Sequence, residues 1–242
     1  MSHKLAYLTI DDGPTRKTVE QIDYLDSREI KAIWTCGGEL IERFGDKMVY
    51  AIRRGHVVGN NGYDHPSFSE ISLEDVREQI VKTDRLIEGV YDKAGVRRPM
   101  KIFRFPYLDN GDGEGAYEKI DWSNEHVRAL QDILRELGYR QPRFEGINYE
   151  WYRSAGMDKC LNVDCTYDTN DSWLHPLEDW DIDLQDVLER MDEDVPEGCR
   201  GLNYDGSNEI VMMHAFISLD AFEAIVEKML SKGLKFVLPA FT

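Results

Sequence analysis

Seven short apolar runs, rich in β-branched and aromatic residues, alternate with longer stretches of helical period along this chain. The runs are residues 5–10 (LAYLTI), 30–35 (IKAIWT), 56–59 (HVVG), 101–105 (KIFRF), 161–166 (LNVDCT), 209–214 (EIVMMH) and 235–240 (KFVLPA). Helical period is expected after Pro14 (residues 15–25), over 123–138, 184–191 and 220–233, and over 72–95 behind a Ser72 to Asp75 capping box. Gly95 and Gly138 mark two of the helix ends, where a left-handed cap is expected. Strand and helix repeated in this order predict an α/β fold, a parallel sheet with right-handed crossovers, closed or nearly closed.

At 242 residues the chain fits one large domain, residues 1–242, with no repeat, low-complexity tract or linker. Residues 107–160 are the least regular part and are read as a surface excursion, either the rim of a site or a plain structural insertion. The formal net charge of −17, from 46 acidic and 29 basic residues, repels nucleic acid and anionic membrane surfaces and tolerates neutral or cationic substrates. No run is both long and uncharged enough to span a bilayer, and MSHKLAYLTID is too short for a secretory leader. A cytoplasmic location is therefore the expectation, or a secreted one if a leader has been trimmed. Cys36, Cys160, Cys165 and Cys199 show no CxxC spacing, so structural thiols are expected rather than a zinc knuckle.

Polar residues collect at the carboxyl ends of the strand candidates. Residues 5–10 run into Asp11-Asp12-Gly13-Pro14, and 56–59 into Asn60, Asn61, Asp64 and His65. The run 101–105 carries Arg104 and delivers Pro106-Tyr107; 161–166 runs into Asp168, Asn170 and Asp171; 209–214 ends on His214. In a parallel barrel those ends share one face, where barrel active sites lie. Each cluster alone admits a plainer reading. Asp11-Asp12 could end a strand and cap a helix, or form a split pair, one carboxylate on a cation and one acting as base. His65 before proline could be an ordinary loop residue, yet positions 61 and 65 lie one helical turn apart and can face one point. His214 could be a satisfied core histidine or, on the polar rim, a general acid. Arg104 inside an apolar strand needs a carboxylate partner, structural or functional.

The stretches TIDDGPT, GNNGYDHP, RFPY, TYDTNDSW and VMMH, in that order from Thr9 to His214, resemble the five motifs of the polysaccharide deacetylases, the NodB-homology domains of carbohydrate esterase family four. GLKFVLPAF resembles the closing strand of that family, so the likeness covers nearly the whole chain. The resemblance implies a distorted (β/α) barrel of about seven parallel strands that removes acetyl groups from N-acetylated or O-acetylated carbohydrate. It implies one divalent cation, zinc first, with cobalt, manganese or magnesium as alternatives. By the family pattern Asp11 is the base, Asp12 a metal ligand and Arg104 the partner that orients Asp11. The Tyr107 N–H helps bind the oxyanion, His214 is the acid, Asp168 or Asp171 holds His214, and Trp173 and Met212 line the acetyl pocket.

Two departures stand out. Ser172 separates the second acid of the fourth motif from Trp173, which leaves the choice between Asp168 and Asp171 open. Asn61 stands where the family's first metal-binding histidine falls, offering a neutral oxygen in place of imidazole beside His65. Two rival functions follow. A related barrel hydrolyses a formamide or cyclic ureide, and a catalytically silent carbohydrate-binding domain keeps the fold without turnover. The expected partner is an acetylated carbohydrate or other small acetylated molecule.

Overall fold

Strand β1 (Lys4–Gly13) is buried from Ala6 to Asp11 without interruption, as a strand covered on both faces must be. A computed structural model of the chain, describing residues 4–113, 117–175, 177 and 180–242, places this strand at the centre of a wholly parallel sheet. Beside it lie β2 (Ile33–Cys36), β3 (Val57–Asn60), β4 (Tyr167–Asp168) and β5 (Glu209–His214), in the order β3-β2-β1-β5-β4. Strand β6 (Leu234–Phe236) pairs with the first residues of β1, Lys4 to Ala6.

The α/β expectation holds, but six strands form among the described residues where about seven were expected. Residues 101–105 occupy a strand position without becoming one. They touch β3 through the Asn60–Phe103 bridge and the Arg104 N–H, which donates to the Asn60 carbonyl at 3.0 Å. Residues 161–166 likewise form no strand, and β4 begins just after them. Their side chains compete for the ladder. Gln131 Oε1 accepts the Leu161 N–H, and buried Asn162 bonds Gln131, Asn110 and Asp164. The ring still closes through single hydrogen bonds, Val163 N–H to the Phe103 carbonyl at 2.8 Å and Thr166 N–H to the Ile210 carbonyl at 2.9 Å. This is the distortion of the barrel. At the end of the chain the expected run 235–240 shortens, because Pro239 has no N–H to donate and Ala240 pairs with Arg143 instead.

The helices pack around this sheet. Helix α1 (Thr18–Ser27) starts three residues beyond Thr15, whose N–H is held by the Thr18 hydroxyl. Helix α2 (Gly38–Arg53) was not expected from the sequence. It opens on a glycine pair and breaks at Phe44 (φ −137°, ψ 21°), which blurs its period. Its opening glycine is required, because a Cβ on Gly38 would lie 2.4 Å from the Tyr63 ring and 2.5 Å from Thr83 Oγ1. Helix α3 (Leu73–Ala94) begins on Ser72, whose hydroxyl accepts the Asp75 N–H, and ends on left-handed Gly95. Helix α4 (Glu125–Glu136), capped by Asn124, and the short α5 (Glu150–Ala155) give the 107–160 excursion its helices; residues 114–116 lie outside the described residues. Helices α6 (Leu184–Arg190) and α7 (Leu219–Ser231) complete the shell. Among the described residues no helix is long and apolar enough to cross a membrane.

Candidate active site

The carboxyl ends of the central strands open into one cavity of about 780 Å³. Asp11, Asp12, Asn61, His65, Tyr107, Asp168, Trp173, Met212 and His214 all line it, nine of the eleven residues singled out from the sequence. Arg104 and Asp171 stand behind the lining, each against one of its members.

Neighbouring residues of a strand face opposite ways, so two adjacent acids do not normally share a cavity. Here Asp12 adopts φ 56°, in the left-handed region, and both carboxylates meet the same space. Asp11 Oδ1 accepts from Arg104 Nη1 at 2.7 Å and from the Thr35 hydroxyl at the end of β2. Arg104 is 1% exposed and also donates to Thr9 Oγ1 and the Val163 carbonyl, so its guanidinium is fixed from three sides. This buried guanidinium is thereby aimed at one carboxylate.

Asp12 points at a different set. Its Oδ1 lies 3.2 Å from His65 Nε2 and 3.1 Å from Asn61 Nδ2. The loop that carries Asn61 and His65 is held by the first turn of α2, where the Gly38 and Glu39 N–H groups donate to the Gly62 and Tyr63 carbonyls at 3.0 Å each. His65, itself at φ 62°, meets the Tyr107 ring edge to face at 4.6 Å. Among the described residues no three His, Cys, Asp or Glu side chains converge to hold a metal, and the further oxygen-bearing side chain beside Asp12 and His65 is that of Asn61. Its carboxamide fits. Asn61 is 1% exposed, and its Oδ1 is a buried acceptor with no hydrogen-bond partner among the described residues, the kind of atom a cation satisfies.

His214 ends β5 directly beside Asp11, with which it is in register. Asp171 grips it twice. Oδ1 lies 2.7 Å from His214 Nδ1, and Oδ2 accepts the His214 backbone N–H at 2.8 Å. Of the two acids left open by the sequence, Asp171 is therefore the one that holds His214. Asp168 is occupied elsewhere, accepting the Tyr117 hydroxyl and the Asn170 N–H. Burial by itself would lower the pKa of His214. The charge and hydrogen bond of Asp171, reinforced by Asp12 and Asp11, outweigh it and hold the imidazole up to about 10. His214 is then a protonated donor at neutral pH. The pair contributes stability that is fully present below the ordinary histidine value of 6.5 and fades as pH rises through about 10. Asp171→Asn removes the strongest influence raising this pKa, so the His214 ring, followed by NMR, should lose its proton at a clearly lower pH. An unchanged titration would remove Asp171 from that role.

Some contributors carried no early sign. Thr35 sits at the carboxyl end of a strand candidate and was open to the same strand-end argument as Asp11. Tyr117 comes from the irregular excursion, where no periodicity points to it. Tyr63, Trp180 and Phe216 also line the cavity.

The sequence profile for polysaccharide deacetylase matches residues 1–141, more than half of the 242. The chain belongs to that family. Among its relatives, a peptidoglycan-N-acetylglucosamine deacetylase of Bacillus cereus is 31% identical over 119 residues, 49% of this chain and 40% of that protein. The peptidoglycan-N-acetylmuramic acid deacetylase PdaC of Bacillus subtilis is 22% identical over 239 residues, 98% of this chain and 38% of that protein. The chain thus spans about two fifths of the length of these curated relatives. A family 4 carbohydrate esterase from Streptomyces lividans, solved in complex with acetate, superposes with a TM-score of 0.63 at 17% identity, covering 97% of this chain and 92% of that one. At that identity the likeness establishes the polysaccharide deacetylase fold, a distorted (β/α) barrel, and nothing narrower.

Proposed function

We propose that this polysaccharide deacetylase domain is a metal-dependent hydrolase that removes acetyl groups from N-acetylated carbohydrate, working as a single catalytic domain. The observation that carries the proposal is the pairing of two buried dyads across one cavity. Arg104–Asp11 and Asp171–His214 face the same space, with Asp12, His65 and Asn61 beside them. Relatives described as deacetylating peptidoglycan N-acetylglucosamine and N-acetylmuramic acid support a sugar acetamide as substrate.

Each residue then has a task. Asp12, His65 and Asn61 would hold a divalent cation, which would supply Lewis acidity toward an acetyl carbonyl and make water more acidic. Asp11, oriented by Arg104 and Thr35, takes a proton from the attacking water. The Tyr107 N–H helps to hold the developing oxyanion. His214, protonated and fixed by Asp171, gives a proton to the departing amine nitrogen. Trp173 and Met212 line the part of the cavity that takes the acetyl methyl.

The decisive experiment is acetate release from N-acetylated chitooligosaccharides, peptidoglycan fragments and acetylated xylan, by chelator-treated protein with and without added zinc, cobalt, manganese or magnesium. Release that chelator abolishes and a cation restores is the expected result. No release from any of them under any cation overturns the proposal. Asn61 favours one second reading, a carbohydrate-binding domain without turnover, since it replaces an imidazole with a weaker ligand; saturable binding of the same oligosaccharides without acetate release decides for it.

Asn61 also sets the cation. Asn61→His restores a nitrogen donor, and zinc affinity should rise by on the order of 10-fold, the scale of single-group changes around metal sites. Manganese should gain less, since oxygen donors suit it better. Titration of stripped wild type and variant checks this without any activity assay. Equal affinities for every cation would mean that Asn61 is not a ligand.

A further inference from the structure

The mechanism uses none of the four cysteines, and two of them meet. Cys165 and Cys199 are both fully buried, with their Sγ atoms 3.4 Å apart, and the Cys199 thiol donates to the Cys165 carbonyl at 3.0 Å. They lie in a small apolar cluster with Leu108 and Met212, directly beneath the cavity floor. The other two thiols have no such neighbour. Cys36 faces Met48 Sδ and the Trp34 carbonyl, and Cys160 faces the Gly156 carbonyl.

The backbones are already placed for a cross-link. Tyr167 and Arg200 form an antiparallel bridge, and the Asp168 N–H donates to the Cys199 carbonyl at 3.1 Å, so the two segments run side by side. Disulfide sulfurs lie about 2.05 Å apart, so the two Sγ atoms need to close by only about 1.4 Å, within the reach of side-chain torsions. We propose that Cys165 and Cys199 form a disulfide when the chain folds in the presence of a thiol-oxidising disulfide. One cysteine thiolate attacks the oxidant R–S–S–R, releasing R–SH and leaving a mixed disulfide. The second cysteine displaces the remaining R–SH and forms the Cys165–Cys199 bond. Two electrons pass to the oxidant, and the two thiol protons leave with the two R–SH products.

Burial pushes the Cys199 thiol well above its ordinary pKa, and no oxidant reaches it in the folded chain. The bond therefore forms during folding and is afterwards shielded from reductants. The loop it closes contains Asp168 and Trp173, part of a wall of the cavity, with Asp171 behind them, and it carries β4 and α6. Tying both ends of that wall stabilises the fold chiefly by restricting the unfolded chain.

The test is to produce the full chain in a reducing cytosol and through an oxidising secretory route. Free thiols are alkylated in denaturant and the peptides mapped by mass spectrometry. The cytosolic product should carry four alkylated cysteines. The secreted product should carry two, at Cys36 and Cys160, with a Cys165–Cys199 peptide that reductant separates. Its Tm should exceed that of the cytosolic product by roughly 5 °C or more. Cys165→Ser and, independently, Cys199→Ser should abolish the difference, so a folding failure of one variant leaves the other. Four alkylated cysteines in the secreted product, or a link through Cys36 or Cys160, overturns the proposal. Equal melting of linked and unlinked protein overturns its stabilising role.

Discussion

Asp11→Asn is expected to abolish turnover while cation content survives. The two adjacent acids are committed to different partners, Asp11 to Arg104 and Thr35, Asp12 to His65 and Asn61. A carboxamide cannot take the proton from water, and a positioned base contributes roughly 10²–10⁴-fold in rate. The same substitution takes from Arg104, 1% exposed, the carboxylate it is hydrogen-bonded to. Breaking a buried ion pair from one side destabilises on the order of 3–5 kcal/mol, so the variant should also melt lower. Rates are therefore compared at a temperature where the melting curve shows the variant folded, alongside its metal content. Near-normal acetate release from that folded variant would remove Asp11 from the mechanism. Loss of the cation together with activity would instead place Asp11 among the ligands.

His214→Ala should lower the rate on an acetamide by roughly 10²–10⁴-fold. An amine leaves poorly without a proton, and the imidazole held up to about 10 by Asp171 is the group supplied with one. An activated aryl ester has a leaving group stable as an anion, so its hydrolysis should suffer far less. The contrast between the two substrates, measured on one preparation, separates proton delivery from general damage to the cavity. Equal losses on both would sink the role of general acid, whatever their size.

These two predictions rest on residues that were already visible as strand-end polar clusters, and the reason is physical. In a parallel sheet every strand delivers its carboxyl end to the same face, so the order of apolar runs and the polar residues that follow them carry the location of the site. Asp11, Asp12, His65, Asp168 and His214 were legible in that way, as were the caps at Ser72, Gly95 and Gly138, because local backbone hydrogen bonds decide them. Residues 101–105 and 161–166 were legible as apolar runs but not as failed strands. Whether such a run becomes a strand depends on which groups its N–H and C=O atoms meet, and Gln131, Asn110 and Asn162 are far apart in sequence. Helix α2 was hidden by its glycine pair and the break at Phe44, although the packing of Gly38 against Tyr63 and Thr83 requires that glycine.

The sequence by itself determined the class of fold, the family pattern and the set of groups available for chemistry. Periodicity, strand-end position and motif order are local properties of the chain. Only the tertiary structure decided the pairings. Asp171 rather than Asp168 reaches His214, Tyr117 engages Asp168, Thr35 joins Arg104 on Asp11, and Cys165 meets Cys199. Each of these contacts joins segments whose separation along the chain carries no distance information. Asp168 and Asp171, three residues apart and chemically identical, differ in role only because the turn between them passes through left-handed Asn170 and carries the second carboxylate to the end of β5.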